Sequence, residues 1–198
     1  MRIGIDIGGS HIAIGLIQGK SILQKSEYNF TKQDKQNLKA VISTFLEKEI
    51  DMFLEKISVD NIEMIGISVP GRPQNGIITS ACNLQVDNLN LENVIKQKLD
   101  KPVYMKNDGM CAGIAEKEYG ALQGVDNGIF LSLGTGIGCA VFVRGQLIEE
   151  IRGFGHMIVQ KNGRQCKCGR FRLFGDICFY EGFKNANKEQ TKTRNVIE

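Results

Sequence analysis

The sequence predicts an α/β fold. Two observations carry this. Ile-rich runs that read as strands alternate with stretches of helical periodicity, the pattern of a layered α/β chain. An apolar run, a Gly-rich turn and a second apolar run also occur twice, near residues 2–17 and 128–144, which suggests two related lobes.

The elements follow in order. Residues 2–7 and 11–17 read as strands around Gly8-Gly9-Ser10, with a third near 21–28. Leu38, Val41, Ile42, Phe45, Leu46, Ile50, Phe53, Leu54 and Ile57 recur at steps of three and four, an amphipathic helix of about five turns that packs on a core. Residues 62–69 form a buried strand, stopped by Pro70-Gly71. Residues 72–90 read as loop. Leu91, Val94, Ile95 and Leu99 suggest a short helix. Residues 102–106 make another strand, followed by Asn107-Asp108 and a helix over 109–119. Strands at 128–133 and 138–144 repeat the opening device. Periodicity weakens beyond Gly145, and no coherent pattern follows Arg170.

Composition narrows the class. The chain has 198 residues, about one domain or two small lobes. At 42% hydrophobic and 24% charged it reads as an ordinary globular chain, not a disordered, collagenous or coiled-coil one. A net charge of +3 with no long basic run argues against a dedicated nucleic-acid binder. No apolar run approaches the roughly 18 residues that cross a bilayer. Met1-Arg2-Ile3-Gly4 enters a strand directly, so no signal peptide is expected and the chain is expected to be cytoplasmic. The cysteines then read as thiols or metal ligands instead of disulfides. Cys82, Cys111 and Cys139 sit singly among apolar or small residues, as packed thiols do; Cys166 and Cys168 look organised. The segment from Lys184 to Glu198, with only Ala186, Val196 and Ile197 apolar, reads as a solvated tail.

Three motifs bear chemistry. In Asp6-Ile7-Gly8-Gly9-Ser10 two glycines let backbone N–H groups approach an anion, Ser10 adds a hydroxyl, and Asp6 suits a magnesium shell or a water beside a phosphate. A plain Gly-Gly hairpin turn is the alternative reading. Gly134-Thr135-Gly136-Ile137-Gly138 looks like a phosphate loop, but a strand follows it where a dinucleotide fingerprint or P-loop requires a helix. Two such hairpins facing one another would clamp a nucleotide's phosphates. Asn107-Asp108 ends a strand, where ligands of α/β sheets gather. A carboxylate there suits a general base, with a helix N-cap as the alternative.

The ordered set Asp6-x-Gly-Gly-Ser, Gly66-x-x-x-Pro70-Gly71, Asn83-Leu84, Asn107-Asp108, Gly134-Thr-Gly-Ile-Gly138, Gly155-His156 and Cys166-x-Cys168-Gly169 resembles the ROK family of sugar kinases and repressors, over residues 1 to about 170. The resemblance implies an actin-like, ribonuclease-H-like α/β fold of two lobes. It implies ATP-dependent phosphorylation of a hexose or hexosamine, with ATP and Mg²⁺ as the nucleotide partner. It gives Asp108 as catalytic base and Asn83, Asn107, Gly71 and His156 as sugar-side residues. Asp6, Gly8, Gly9, Ser10, Gly134, Thr135, Gly136 and Gly138 take the phosphate side. His156, Cys166 and Cys168 match three ligands of a structural zinc site.

The pattern departs from the family in two places. A glutamate usual before Gly-His is Gly153 here, in a shortened segment where Glu149 or Glu150 would have to substitute. The third zinc cysteine is Leu173 and the following glutamate position is Gly175, while Cys178 has the wrong spacing, so the zinc site is incomplete. One extra nucleotide at codon 171 would account for the second departure: back-translating residues 171–182 with suitable codons and dropping one base gives Gly-Cys-x-Glu at the family spacing. The expected organisation is therefore residues 1–118 as a complete first lobe, 119–170 as the start of a second, and 171–198 as out-of-frame or disordered tail. Low or no activity, poor solubility and an open question over homodimerisation follow from that organisation. A non-catalytic, sugar-binding remnant is the alternative function. A ROK repressor is a further one, disfavoured because no room precedes Asp6 for a helix-turn-helix.

Overall fold

The computed structural model describes residues 1–71, 73–78, 84, 86, 88–133, 137–149, 155, 157 and 158. The chain divides into two compact units, Met1–Asp108 and Gly109–Glu198.

The first unit is built on a five-stranded sheet. Its strands are β1 (Arg2–Ile7), β2 (His11–Gln18), β3 (Ser21–Asn29), β4 (Met64–Val69) and β8 (Val103–Asn107), in the spatial order β3-β2-β1-β4-β8. β1, β2 and β3 form an antiparallel meander, while β4 and β8 join in parallel. Parallel neighbours need crossovers, and helices supply them. α1 (Leu38–Leu54) lies between β3 and β4, and α2 (Leu91–Lys96) precedes β8.

Alternation along each strand sorts the two faces. Ile3, Ile5 and Ile7 on β1, Ile12, Ile14 and Leu16 on β2, and Ile65, Ile67 and Val69 on β4 are all buried in one core. Leu38, Ile42, Leu46, Ile50 and Phe53 of α1 and Leu91 and Ile95 of α2 close that core. The period of two then puts Asp6, His11 and Ser68 on the opposite face of the sheet. The expected helix through Ile57 ends earlier, at Leu54. Its last turn tightens, Lys56 and Ile57 both donating to the Phe53 carbonyl, and Ile57 still packs against the core.

The α1 stripe contains one charged residue. Glu49 is 6% exposed and its Oε2 has no hydrogen-bond partner among the described residues. Burying a polar atom without a partner costs about 1–3 kcal/mol. Glu49→Met, of similar length, is expected to stabilise the chain by roughly that amount. A urea-unfolding midpoint below the wild-type value for Glu49→Met would count against this account.

The described residues of 72–90, a stretch expected as loop, hold three two-residue strands: β5 (Pro73–Gln74), β6 (Ile77–Ile78) and β7 (Leu89–Asn90), paired in that order. Two-residue strands carry no readable periodicity. Asn75 and Gly76, both at positive φ, close the β5–β6 hairpin, the conformation that Asn-Gly adopts at low cost. The Gly76 carbonyl accepts from the N–H groups of Leu91 and Glu92, and the Asn90 side chain accepts from Asn93 N–H at 2.8 Å. The first turn of α2 thereby finds partners for its open donors.

The second unit contains most of α3 (Asp108–Tyr119) and an antiparallel sheet ordered β11-β10-β9. These strands are β9 (Gly128–Leu133), β10 (Ile137–Val143) and β11 (Gln146–Leu147). The β9–β10–β11 meander repeats the order of β1–β2–β3, as the recurring sequence device suggested. No helix among the described residues is long and apolar enough to cross a membrane.

Candidate functional site

The Asp6–Ser10 motif occupies the end of β1 and the turn into β2. Gly8 N–H donates to the His11 carbonyl at 2.9 Å, closing the hairpin, and Phe30 N–H donates to the Ser10 carbonyl at 2.8 Å, bracing the turn from β3. The chain after Phe30 is itself locked. Thr31 N–H and Thr31 Oγ1 each donate to Asp34 at 2.7 Å, and the Tyr28 hydroxyl adds a third bond at 2.9 Å. These donors, the Thr31 backbone foremost, hold the Asp34 carboxyl pKa below its ordinary value, while its own bond to Asp34 holds the Tyr28 hydroxyl pKa above the ordinary one.

Asp6 and Ser10 are exposed on this braced turn. An exposed carboxylate and hydroxyl are hard oxygen ligands of the kind that suit magnesium, while Gly8 N–H is already spent on the hairpin, as in the plain-turn alternative. His11 went unread in the sequence. Its Nε2 lies 3.4 Å from Asp6 Oδ2. Its ring also covers Gly8, where an added Cβ would sit 2.9 Å from His11 Cε1. A hairpin closed about Gly8-Gly9-Ser10 pairs Asp6 with Ala13 and so sets His11 diagonal to Asp6.

Asn107 ends β8 and Asp108 opens α3, where Asp108 is exposed. The register pairs Val69 with Asn107, so the Pro70–Gly71 turn after β4 lies beside the end of β8. Asn107 Nδ2 donates to the Gly71 carbonyl at 3.0 Å. The first unit thus brings Gly71, Asn107 and Asp108 to one corner at the C-terminal ends of two parallel strands, where ligands of open α/β sheets bind.

In the second unit Gly138, the second residue of β10, pairs with Ser132 and packs against Gly109 of α3. A Cβ on Gly109 would lie 2.7 Å from Cys139 N and 2.9 Å from Gly138 Cα. A Cβ on Gly138 would itself lie 2.5 Å from Ser132 Oγ and 3.1 Å from Gly109 Cα, so close packing accounts for glycine at 138 independently of any ligand. Asn83, Gly134, Thr135, Gly136, His156, Cys166 and Cys168 lie outside the described residues, and with them the zinc expectation and one half of the phosphate clamp. Among the described residues, no group of three or more His, Cys, Asp or Glu side chains is gathered to hold a metal.

An antiparallel meander extended by parallel crossover strands, with a Gly-Gly turn after its first strand and an Asn-Asp pair at a strand end, is the architecture of an actin-like α/β lobe. The chain belongs to the ROK family, whose family model matches residues 2–196. The out-of-frame or disordered tail expected over 171–198 lies outside the described residues. The glucokinase of Thermotoga maritima is 29% identical over 176 residues, covering 84% of this chain and 53% of that protein. The xylose repressor of Caldicellulosiruptor bescii is 29% identical over 175 residues, covering 84% and 43%. The crystal structure of a ROK family glucokinase from Streptomyces griseus, in complex with glucose and AMPPNP, matches with a TM-score of 0.75 at 25% identity, covering 97% of this chain and 61% of that one. The chain spans about half the length of the curated relatives it matches.

Proposed function

We propose that the chain carries the site of a sugar kinase, one that binds a hexose or hexosamine and ATP and transfers the γ-phosphoryl group to a sugar hydroxyl. The observation that carries this is the corner formed by Gly71, Asn107 and Asp108, which sets a carboxylate at the C-terminal end of the parallel strands beside a held turn. Asp108 takes the proton of the sugar hydroxyl as that oxygen bonds to the γ-phosphorus and the bond to the β,γ-bridging oxygen breaks, releasing ADP. Asp6 and Ser10 would hold the magnesium and phosphates on the nucleotide side. When bound, Mg²⁺ neutralises charge on the transferring phosphoryl group. Phosphoryl transfer depends mainly on such positioning and charge stabilisation, which suits a site assembled from turns on rigid strands.

The similarity to a xylose repressor, equal in identity to that of the glucokinase, supports a second reading as a sugar binder without turnover. Calorimetric titration with hexoses, paired with an ATP-dependent phosphorylation assay on the whole chain, separates the two. Binding with turnover supports the kinase. Binding without turnover selects the second reading. A chain that binds no hexose under any condition tried defeats both.

A further inference from the structure

We propose that Asn107 is a positioning residue: its side-chain amide straps the Pro70–Gly71 turn to the strand end that presents Asp108. The functional consequence rests on the sugar-kinase reading above, while the geometry stands on the first unit alone.

Beyond Val69 the chain leaves the sheet through buried Pro70 and exposed Gly71, the latter at φ +82°. Such a residue reverses the chain sharply, and its carbonyl no longer follows the β4–β8 ladder, whose last pair is Val69 with Asn107. Asn107 Nδ2 meets that carbonyl at 3.0 Å, across 36 residues of sequence. The segment that begins at Gly71 is tied again further along, where the Gly76 carbonyl accepts from Leu91 and Glu92. That second anchor joins backbone to backbone. The first, next to Asp108, is made by a side chain.

The family resemblance implies that Asn107 touches sugar. A primary amide has two N–H donors, and here one of them is committed to Gly71. Loss of that bond frees the turn in the sugar-free protein, before any ligand arrives. Asn107 therefore acts on the sugar side through the backbone it holds, and Asp108 inherits a fixed neighbour.

Hydrogen–deuterium exchange on the sugar-free whole chain tests this, with Asn107→Ala and Asn107→Asp beside the wild type. Asn107→Asp keeps the size and an oxygen acceptor for a sugar hydroxyl, but has no donor for Gly71. Both variants are expected to exchange the amides of Gly71 and Gln74–Ile78 about fivefold faster, the fold-change of one neutral hydrogen bond. Exchange across α1 should stay at the wild-type rate, and glucose affinity measured by calorimetry should fall in both. Unchanged exchange at the turn with weaker glucose binding would overturn the proposal, leaving Asn107 a direct contact only. A uniform rise that includes α1 in both variants would also overturn it, since Asn107 would then serve general stability. Faster exchange at the turn in a chain whose wild type binds no glucose would keep the strap and defeat the sugar-kinase reading.

Discussion

Asp108→Asn is expected to lower ATP-dependent hexose phosphorylation by roughly 10²–10⁴-fold, the usual contribution of a positioned general base. Hexose affinity should change by less than about threefold, because the substitution keeps the shape and hydrogen-bonding reach of the side chain. The alternative role is structural. Asp108 is the acidic residue in the first turn of α3, where a carboxylate favours the helix dipole by about 0.3–1 kcal/mol. Asparagine gives up that charge, so a small loss of stability is expected either way. The two roles differ in size: a dipole effect worth less than about 1 kcal/mol cannot remove two or more decades of rate. Comparing kcat and calorimetric hexose affinity between wild type and variant decides. Turnover within tenfold of wild type, with a modest stability loss, would assign Asp108 to the helix alone.

Much of this corner was legible because its elements are periodic. Ile3, Ile5 and Ile7 alternate strictly with Arg2, Gly4 and Asp6, so one side of β1 had to enter a core and Asp6 had to face away from it. The stripe on α1 is as plain, although its position 49 is a carboxylate that apolar spacing passes over. What escaped depends on pairing between strands. His11 meets Asp6 only once β1 and β2 fold back on each other, and the Asn107–Gly71 bond exists only because β8 lies beside β4. β5, β6 and β7 were invisible for another reason: two residues of strand show no period, and their placement follows from the Asn75–Gly76 turn and the start of α2. The glycines misled in a milder way. Gly138 belongs to a run that reads as a ligand loop, yet its bare Cα is already required by the helix packed on it.

That packing makes Gly109→Ala a severe substitution. Alanine is the better helix former by about 1 kcal/mol, so a helix with room to spare would gain stability. Here the new Cβ would lie 2.7 Å from Cys139 N, 2.9 Å from Gly138 Cα and 3.1 Å from Gly138 C. All three are backbone atoms of a paired strand and cannot swing aside as a side-chain end does. Overpacking a well-filled interior costs about 1–3 kcal/mol, occasionally more, and rigid neighbours place this site at the upper end. The clash therefore outweighs the propensity, and a net loss of about 2 kcal/mol is expected. Gly66→Ala is the contrast, since a Cβ there meets nothing within 4 Å, and its effect should stay within about 0.5 kcal/mol. Urea denaturation of both variants, with amide exchange followed over α3 and β10, gives the comparison. Gly109→Ala at or above wild-type stability would mean that α3 can lift from β10 without penalty, and the close approach at Gly138 would lose its role as the reason for glycine there.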